Sequence, residues 1–163
     1  MRLFVAIKTD KAVNAAVKNA AASLSLFGSG SFCGEDMYHI TLAFIGETDK
    51  YKDAINALSK IKHNAFEITT NALGCFGNTY YVSVSQSKSL TLLQEKVVNA
   101  LASVGIETEK RSFKPHITVA RRYKADMTPF VFVPMASMQV DEIMLMESKN
   151  GNYLPLYTHK LSF

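Results

Sequence analysis

Apolar positions along this chain switch between a period near two and a period near 3.6, and the switches predict its elements. Residues 3–7, Leu-Phe-Val-Ala-Ile, form an apolar run ending at a polar turn, the pattern of a central strand. Asp10 can cap the next segment, where Val13, Ala16, Val17 and Ala20 recur at helical spacing and predict a helix over 11–25. Residues 27–36 hold Gly28, Gly30 and Gly34 among serines and are expected to form a loop. A strand is expected over 38–45, ended by Gly46, then a helix over 49–61 with Ile55, Leu58 and Ile61 on one face. Strands at 66–73 and 80–85 flank a turn region from Gly74 to Asn78. Leu92, Leu93, Val97 and Leu101 predict a helix over 89–104, with Gly105 as its stop.

A further strand is expected over 116–120, and 125–136, with Pro129 and Pro134, is expected to be irregular. Strands at 138–146 and 153–161 close the chain around Asn150-Gly151-Asn152, a strong hairpin signal. The order β-α-β-α-β-β-α-β-β-β is not a regular βαβ alternation, so an α+β fold with largely antiparallel sheets is expected.

With 163 residues, the chain is expected to be one domain over 1–163, built as two interleaved lobes on one core. Such a length can bury roughly two-thirds of its unfolded surface and needs no disulfide staple. Hydrophobic residues at 48% and charged residues at 20% fit an ordinary globular protein and argue against disorder. Cys33 and Cys75 show no CxxC spacing, which points to reduced thiols. The first apolar run is too short for a signal peptide or a span, so the expected setting is the cytoplasm, away from membranes. The formal charge of +4 is compatible with a polyanionic partner without demanding one. Its distribution says more, because Lys110, Arg111, Lys114, Arg121, Arg122 and Lys124 crowd around one histidine. Such a run is either a solvated face or a contact for polyanions.

The chemistry lies in a repeat. Tyr38-His39-Ile40-Thr41-Leu42-Ala43-Phe44-Ile45-Gly46 and Lys114-Pro115-His116-Ile117-Thr118-Val119-Ala120-Arg121 each run His, Ile, Thr, an aliphatic residue and Ala, and each falls on an expected strand. Side chains two apart on a strand share a face. His39 and Thr41 therefore share one face, His116 and Thr118 another, while Ile40, Leu42, Ile117 and Val119 turn toward apolar packing. Two such strands facing one another present two imidazoles and two hydroxyls. An imidazole, with a pKa near 6.5, can give or take a proton near neutrality. One can activate a water, the other can protonate a departing ribose oxygen, and hydroxyls can donate to phosphate oxygens as charge builds there.

At these residues the sequence resembles the two-histidine, LigT-like phosphoesterases, and within them the RNA 2′,3′-cyclic phosphodiesterases, also called 2′-5′ RNA ligases. The resemblance spans nearly the whole chain: the opening strand Arg2–Ile7, both His-x-Thr motifs, the Phe113-Lys114-Pro115 lead to the second, Leu145-Met146-Glu147-Ser148, and the closing hairpin. It implies a bilobal α+β fold, with two pseudo-symmetric lobes of antiparallel sheet around a central cleft and helices outside. It implies hydrolysis of a terminal 2′,3′-cyclic phosphate on RNA or a nucleotide to a 2′-phosphate, without metal or other cofactor. Some members also join 2′-5′ linkages in vitro. By the same resemblance His39 is the proton donor and His116 the proton acceptor. Thr41, Thr118 and Arg121 bind phosphate, and Phe44 contacts the base. A monomer is expected. This sequence departs from the family in carrying Ala43 where Arg is frequent. Arg121, an odd step from His116, also needs a bulge or a strand end to reach the cleft.

The other candidates read as structural. His63 and His159 have no repeat partner and no zinc-site spacing. Tyr38, Tyr80 and Tyr81 are expected in core or edge packing, Phe32 at the cleft rim, and Met138, Met144 and Met146 in the core. Two other functions fit part of the pattern: a phosphodiesterase for another small cyclic or 2′-5′-linked nucleotide, and a non-catalytic RNA-binding module using the basic stretch.

Overall fold

The structure is a computed structural model and describes residues 1–162. Its elements are β1 (Arg2–Lys8), α1 (Lys11–Phe27), β2 (Gly28–Phe32), a 3-10 turn at Glu35–Met37, β3 (His39–Glu47), α2 (Tyr51–Leu58), β4 (Phe66–Phe76), β5 (Thr79–Val84), α3 (Lys88–Ser103), β6 (His116–Ala125), β7 (Ser137–Val140), β8 (Glu142–Lys149) and β9 (Asn152–Lys160). They build one sheet in the order β3-β1-β8-β9 and a second in the order β2-β6-β5-β4-β7. Every pairing between these strands is antiparallel. The α+β expectation holds. Among the described residues no helix is long and apolar enough to cross a membrane.

Local chemistry sets most boundaries as expected. The Asp10 carboxylate accepts from Val13 N at 3.0 Å and starts α1. Ser87 does the same for α3, accepting from Leu90 N at 3.1 Å. At the other end of α3 the N–H of Ile106 donates to Leu101 O and that of Gly105 to Ala102 O, with Gly105 at φ +77°. This is the Schellman arrangement, and the left-handed residue it needs is the glycine. Asn150 and Gly151 both have positive φ and turn β8 into β9, as the Asn-Gly signal predicts. Leu3, Val5 and Ile7 of β1 enter the main core with Val17, Leu93, Leu101, Ile117 and Leu145.

Three expectations need correction. Residues 28–32 form an exposed edge strand on β6 rather than a loop. The glycines there serve close approach: a Cβ on Gly28 would lie 2.1 Å from Lys124 O, and one on Gly30 would lie 2.9 Å from Tyr123 Cα. The expected strand over 138–146 is two strands, since β7 pairs with β4 in one sheet and β8 with β1 in the other. Inward positions run Met138, Val140, then Ile143, Leu145, and that change of parity marks the crossing at Asp141. Finally, β6 continues to Ala125, where pairing with the unforeseen β2 sustains it.

Candidate active site

His39 opens β3, on the edge of the four-stranded sheet, and His116 opens β6 in the five-stranded sheet. The two motifs share one burial pattern: histidine and threonine partly exposed, the intervening Ile and the following aliphatic–Ala pair buried. Both also carry a bulge at the same place. In the β1–β3 ladder Ala6 faces Thr41 and Val5 faces Ala43, which leaves Leu42 without a partner. In the β5–β6 ladder Tyr81 faces Thr118 and Tyr80 faces Ala120, which leaves Val119 without one. A bulge puts two successive residues on one face and reverses the parity beyond it. Leu42–Ala43 and Val119–Ala120 accordingly point inward together, and Phe44 and Arg121, five residues past each histidine, return to the face of His39 and His116. The odd step that set Arg121 apart in the sequence is resolved by this extra residue.

Thr41, Phe44, His116, Thr118 and Arg121 line one cleft of about 590 Å³. His39 is not part of that lining. It sits one layer back, with Nε2 3.0 Å from Thr41 Oγ1, and Thr41 does face the cleft. Both imidazoles are held in the same way. Nδ1 of His39 lies 2.7 Å from Met37 O, and Nδ1 of His116 lies 2.6 Å from Lys114 O, each carbonyl two residues upstream. A carbonyl only accepts, so each Nδ1 carries the proton and each Nε2 is left for chemistry. In the neutral ring of His39, Nε2 accepts from the Thr41 hydroxyl. In the charged ring it donates to Thr41, whose own proton can then go to a ligand oxygen.

Aromatic rings fix both imidazoles. Phe4 and Tyr153 each lie 5.1 Å from the His39 ring centroid. Tyr81 and Phe76 lie 5.0 and 5.3 Å from that of His116. None of these four contacts is expected from the sequence. For Phe4 a signal existed: β1 is buried on both faces, so Phe4 and Ala6 had to cover something other than the main core. They join Met144, Met146 and Tyr153 in a second cluster beside His39, while Met138 belongs to the main core. Tyr153, Tyr81 and Phe76 come from distant strands, and no local pattern announces them.

Electrostatics separate the cations around the second motif. Burial pushes His39 below the ordinary histidine range, the Met37 carbonyl opposes that, and the positive charges of Arg121 and His116 lower it further. These charges therefore act on a common site. Arg121 has no carboxylate partner among the described residues, and its guanidinium lies 3.8 Å from Cys33 Sγ. Burial raises the Cys33 thiol against the pull of Arg121. Arg111 and Lys114 also line the cleft, whereas Arg122 donates to Ser31 Oγ at 2.8 Å and Lys124 faces a different hollow. Phe44 carries the Arg2 guanidinium 5.2 Å from its ring centroid.

Away from the cleft, His63 is buried between Ser89 Oγ and Lys96 Nζ, and His159 donates through Nε2 to Ile61 O with Nδ1 beside the Tyr157 hydroxyl. Tyr38 and Tyr80 pack structurally as expected. Tyr81 is different, since it packs on His116. Phe32 packs on Tyr123 and does not line the cleft, because β2 carries it along the outer edge of the sheet. Among the described residues no group of three or more His, Cys, Asp or Glu side chains converges as a metal site.

A family model described as the 2′-5′ RNA ligase superfamily matches residues 33–152. The chain belongs to this superfamily. Proteins of known name agree. An RNA 2′,3′-cyclic phosphodiesterase of Archaeoglobus fulgidus is 32% identical over 128 residues, which cover 74% of this chain and 72% of the relative. One of Aeropyrum pernix is 30% identical over 139 residues, covering 76% and 79%. Among solved structures, E. coli LigT in apo form superposes with a TM-score of 0.77 at 25% identity, covering 99% of this chain and 98% of that one. LigT complexed with 3′-AMP gives 0.80 at 24% identity, with the same coverage. The superfamily model spans both His-x-Thr motifs, both bulges and the loop that leads to Lys114. Ala43, the departure noted in the sequence, is the second residue of the first bulge, where the second motif also has alanine, Ala120.

Proposed function

We propose that this protein is an RNA 2′,3′-cyclic phosphodiesterase working by acid–base catalysis on its two matched histidines, without a metal. One observation carries the reading. Two imidazoles from opposite sheets are each anchored at Nδ1 by the carbonyl two residues upstream, and each offers Nε2 toward the region of Thr41, Thr118 and Arg121. The names of the relatives supply the substrate class, and the cleft suits it.

In the proposed reaction His116 Nε2 takes a proton from water, and the water oxygen forms a bond to phosphorus. The bond from phosphorus to O3′ breaks, and His39 gives its Nε2 proton to O3′, leaving a 2′-phosphate and a free 3′-hydroxyl. Thr41, Thr118 and Arg121 donate to the non-bridging oxygens as charge accumulates. Phe44 takes the base. The lowered His39 is compatible with an acid role, because a bound phosphate anion offsets the cations that depress it and favours the charged ring. The protein is further proposed to act as a cytoplasmic monomer.

An RNA-binding module would not need two imidazoles held by the same carbonyl geometry. The test is turnover of a nucleoside 2′,3′-cyclic phosphate in excess EDTA, with the product identified as the 2′-phosphate. His39→Ala and His116→Ala should each lose about 10²- to 10⁴-fold in rate while remaining folded. Retained turnover in either variant would overturn the assigned roles, and faster turnover of another cyclic or 2′-5′-linked nucleotide would move the substrate.

A further inference from the structure

The cleft carries more positive charge than a terminal cyclic phosphate can use. Among the described residues Arg111, Lys114 and Arg121 line it against a single carboxylate, Glu109. Glu109 pairs with Arg111 at the exposed rim. Arg121 and Lys114 have no carboxylate partner among the described residues. A 2′,3′-cyclic phosphate is a diester with one negative charge, and Arg121, on the histidine face beyond the bulge, already answers it. Lys114 is left over, beside Arg111, whose charge is shared with Glu109.

The backbone that carries these two cations is held in place. Residues 106–115, between α3 and β6, are tied at Glu109, whose N–H donates to Phe44 O at 3.0 Å, and at Phe113, whose carbonyl accepts from Gln86 Nε2 at 3.0 Å. Arg111 therefore lies between two anchors, one on β3 and one in the link just before α3. The segment forms a fixed wall of the cleft, and both side chains are exposed and directed to it. Covalent chemistry gives the direction. An RNA that ends in a 2′,3′-cyclic phosphate continues only from its 5′-oxygen, so any second phosphate the protein meets is attached there.

We propose that Lys114 and Arg111 form a second phosphate subsite, for the phosphate on the 5′-oxygen of the terminal nucleotide. The protein is thereby selective for chain ends over free nucleoside cyclic phosphates. This rests on the phosphodiesterase reading above.

The experiment compares kcat/KM for three substrates of one base: a nucleoside 2′,3′-cyclic phosphate, its 5′-phosphorylated form, and a dinucleotide ending in the same cyclic phosphate. It is run for the native protein, Lys114→Gln and the Arg111→Gln/Lys114→Gln double variant. The readout is the ratio of dinucleotide to nucleoside within each protein, which cancels any effect of Lys114 on His116. An exposed ion pair at its strongest corresponds to about fivefold, and this is the preference expected of the native protein. Its rate on the dinucleotide should also fall more steeply with salt, by about 0.7 in log–log slope for one added phosphate contact on a single strand. In the double variant both the ratio and the extra slope should vanish. A gain shared by the 5′-phosphorylated nucleoside supports a subsite for any 5′-phosphate, and a gain confined to the dinucleotide supports one for a chain phosphodiester. A native ratio near one overturns the subsite, as does a preference that survives in the double variant, while turnover itself still upholds the enzyme. Loss of turnover on all three substrates in the native protein overturns the enzyme reading and the subsite together.

Discussion

Replacing Arg121 by Gln tests the electrostatic logic of the site. Among the described residues its guanidinium has no carboxylate partner, and the thiol of Cys33 at 3.8 Å is a weak acceptor. Little native structure is therefore lost on removing it, and the cost should fall on substrate. A hydrogen bond to a charged group contributes about 1.5–3 kcal/mol. At about 1.4 kcal/mol per tenfold, kcat/KM should fall roughly 10- to 150-fold. A second effect has a definite sign. Arg121 is one of the charges that hold His39 low, so the substitution should raise His39 in the free protein. If His39 is the acid, activity is lost above its pKa, and the alkaline limb of kcat/KM against pH should move to higher pH. Steady-state rates on a nucleoside 2′,3′-cyclic phosphate across a pH series read both effects at once. Arg121→Lys should recover part of the rate and return the limb toward its native position. A loss within twofold would show that Arg121 does not meet the phosphate. An acidic limb that moves to higher pH instead would exchange the roles of the two histidines, and a limb that moves to lower pH would contradict the coupling of Arg121 to His39.

Other contacts give further expected outcomes. Thr118→Val keeps the shape and removes the hydroxyl, so kcat/KM should fall by roughly 10- to 150-fold, the worth of one hydrogen bond to a charged group, with thermal stability little changed. Leu93→Ala, at a fully buried position in α3, should destabilise by about 2–5 kcal/mol in denaturant unfolding without altering the pH profile of the remaining native protein. Burial lowers both His39 and His63 in the folded state, so the unfolded chain binds more protons over that window. Stability should be full above the unfolded histidine pKa of about 6.5 and decline as pH falls toward the folded values. Denaturation midpoints that rise on acidification through this range would contradict the burial of both rings.

Much of this site was legible from residue order alone. The two His-x-Thr strands, the face shared by each histidine with its threonine, the inward Ile40 and Ile117, the Asp10 cap, the Gly105 stop and the Asn150–Gly151 turn all follow from periodicity and local propensity. Those forces act within a few residues. The missed features depend on pairing across the sheets. The bulges at Leu42 and Val119 exist because β1 and β5 fix the register on either side of them. Without those partners Phe44 and Arg121 have no reason to face the cleft. Residues 28–32 become a strand only because β6 offers an edge that glycine can approach. Phe4, Tyr153, Tyr81 and Phe76 surround the imidazoles from four other strands. Composition chose the chemical groups and local periodicity chose the face of each motif. Only the register of strands far apart in sequence decided what else shares that face, because a ladder of hydrogen bonds is satisfied between segments and cannot be read from either one alone.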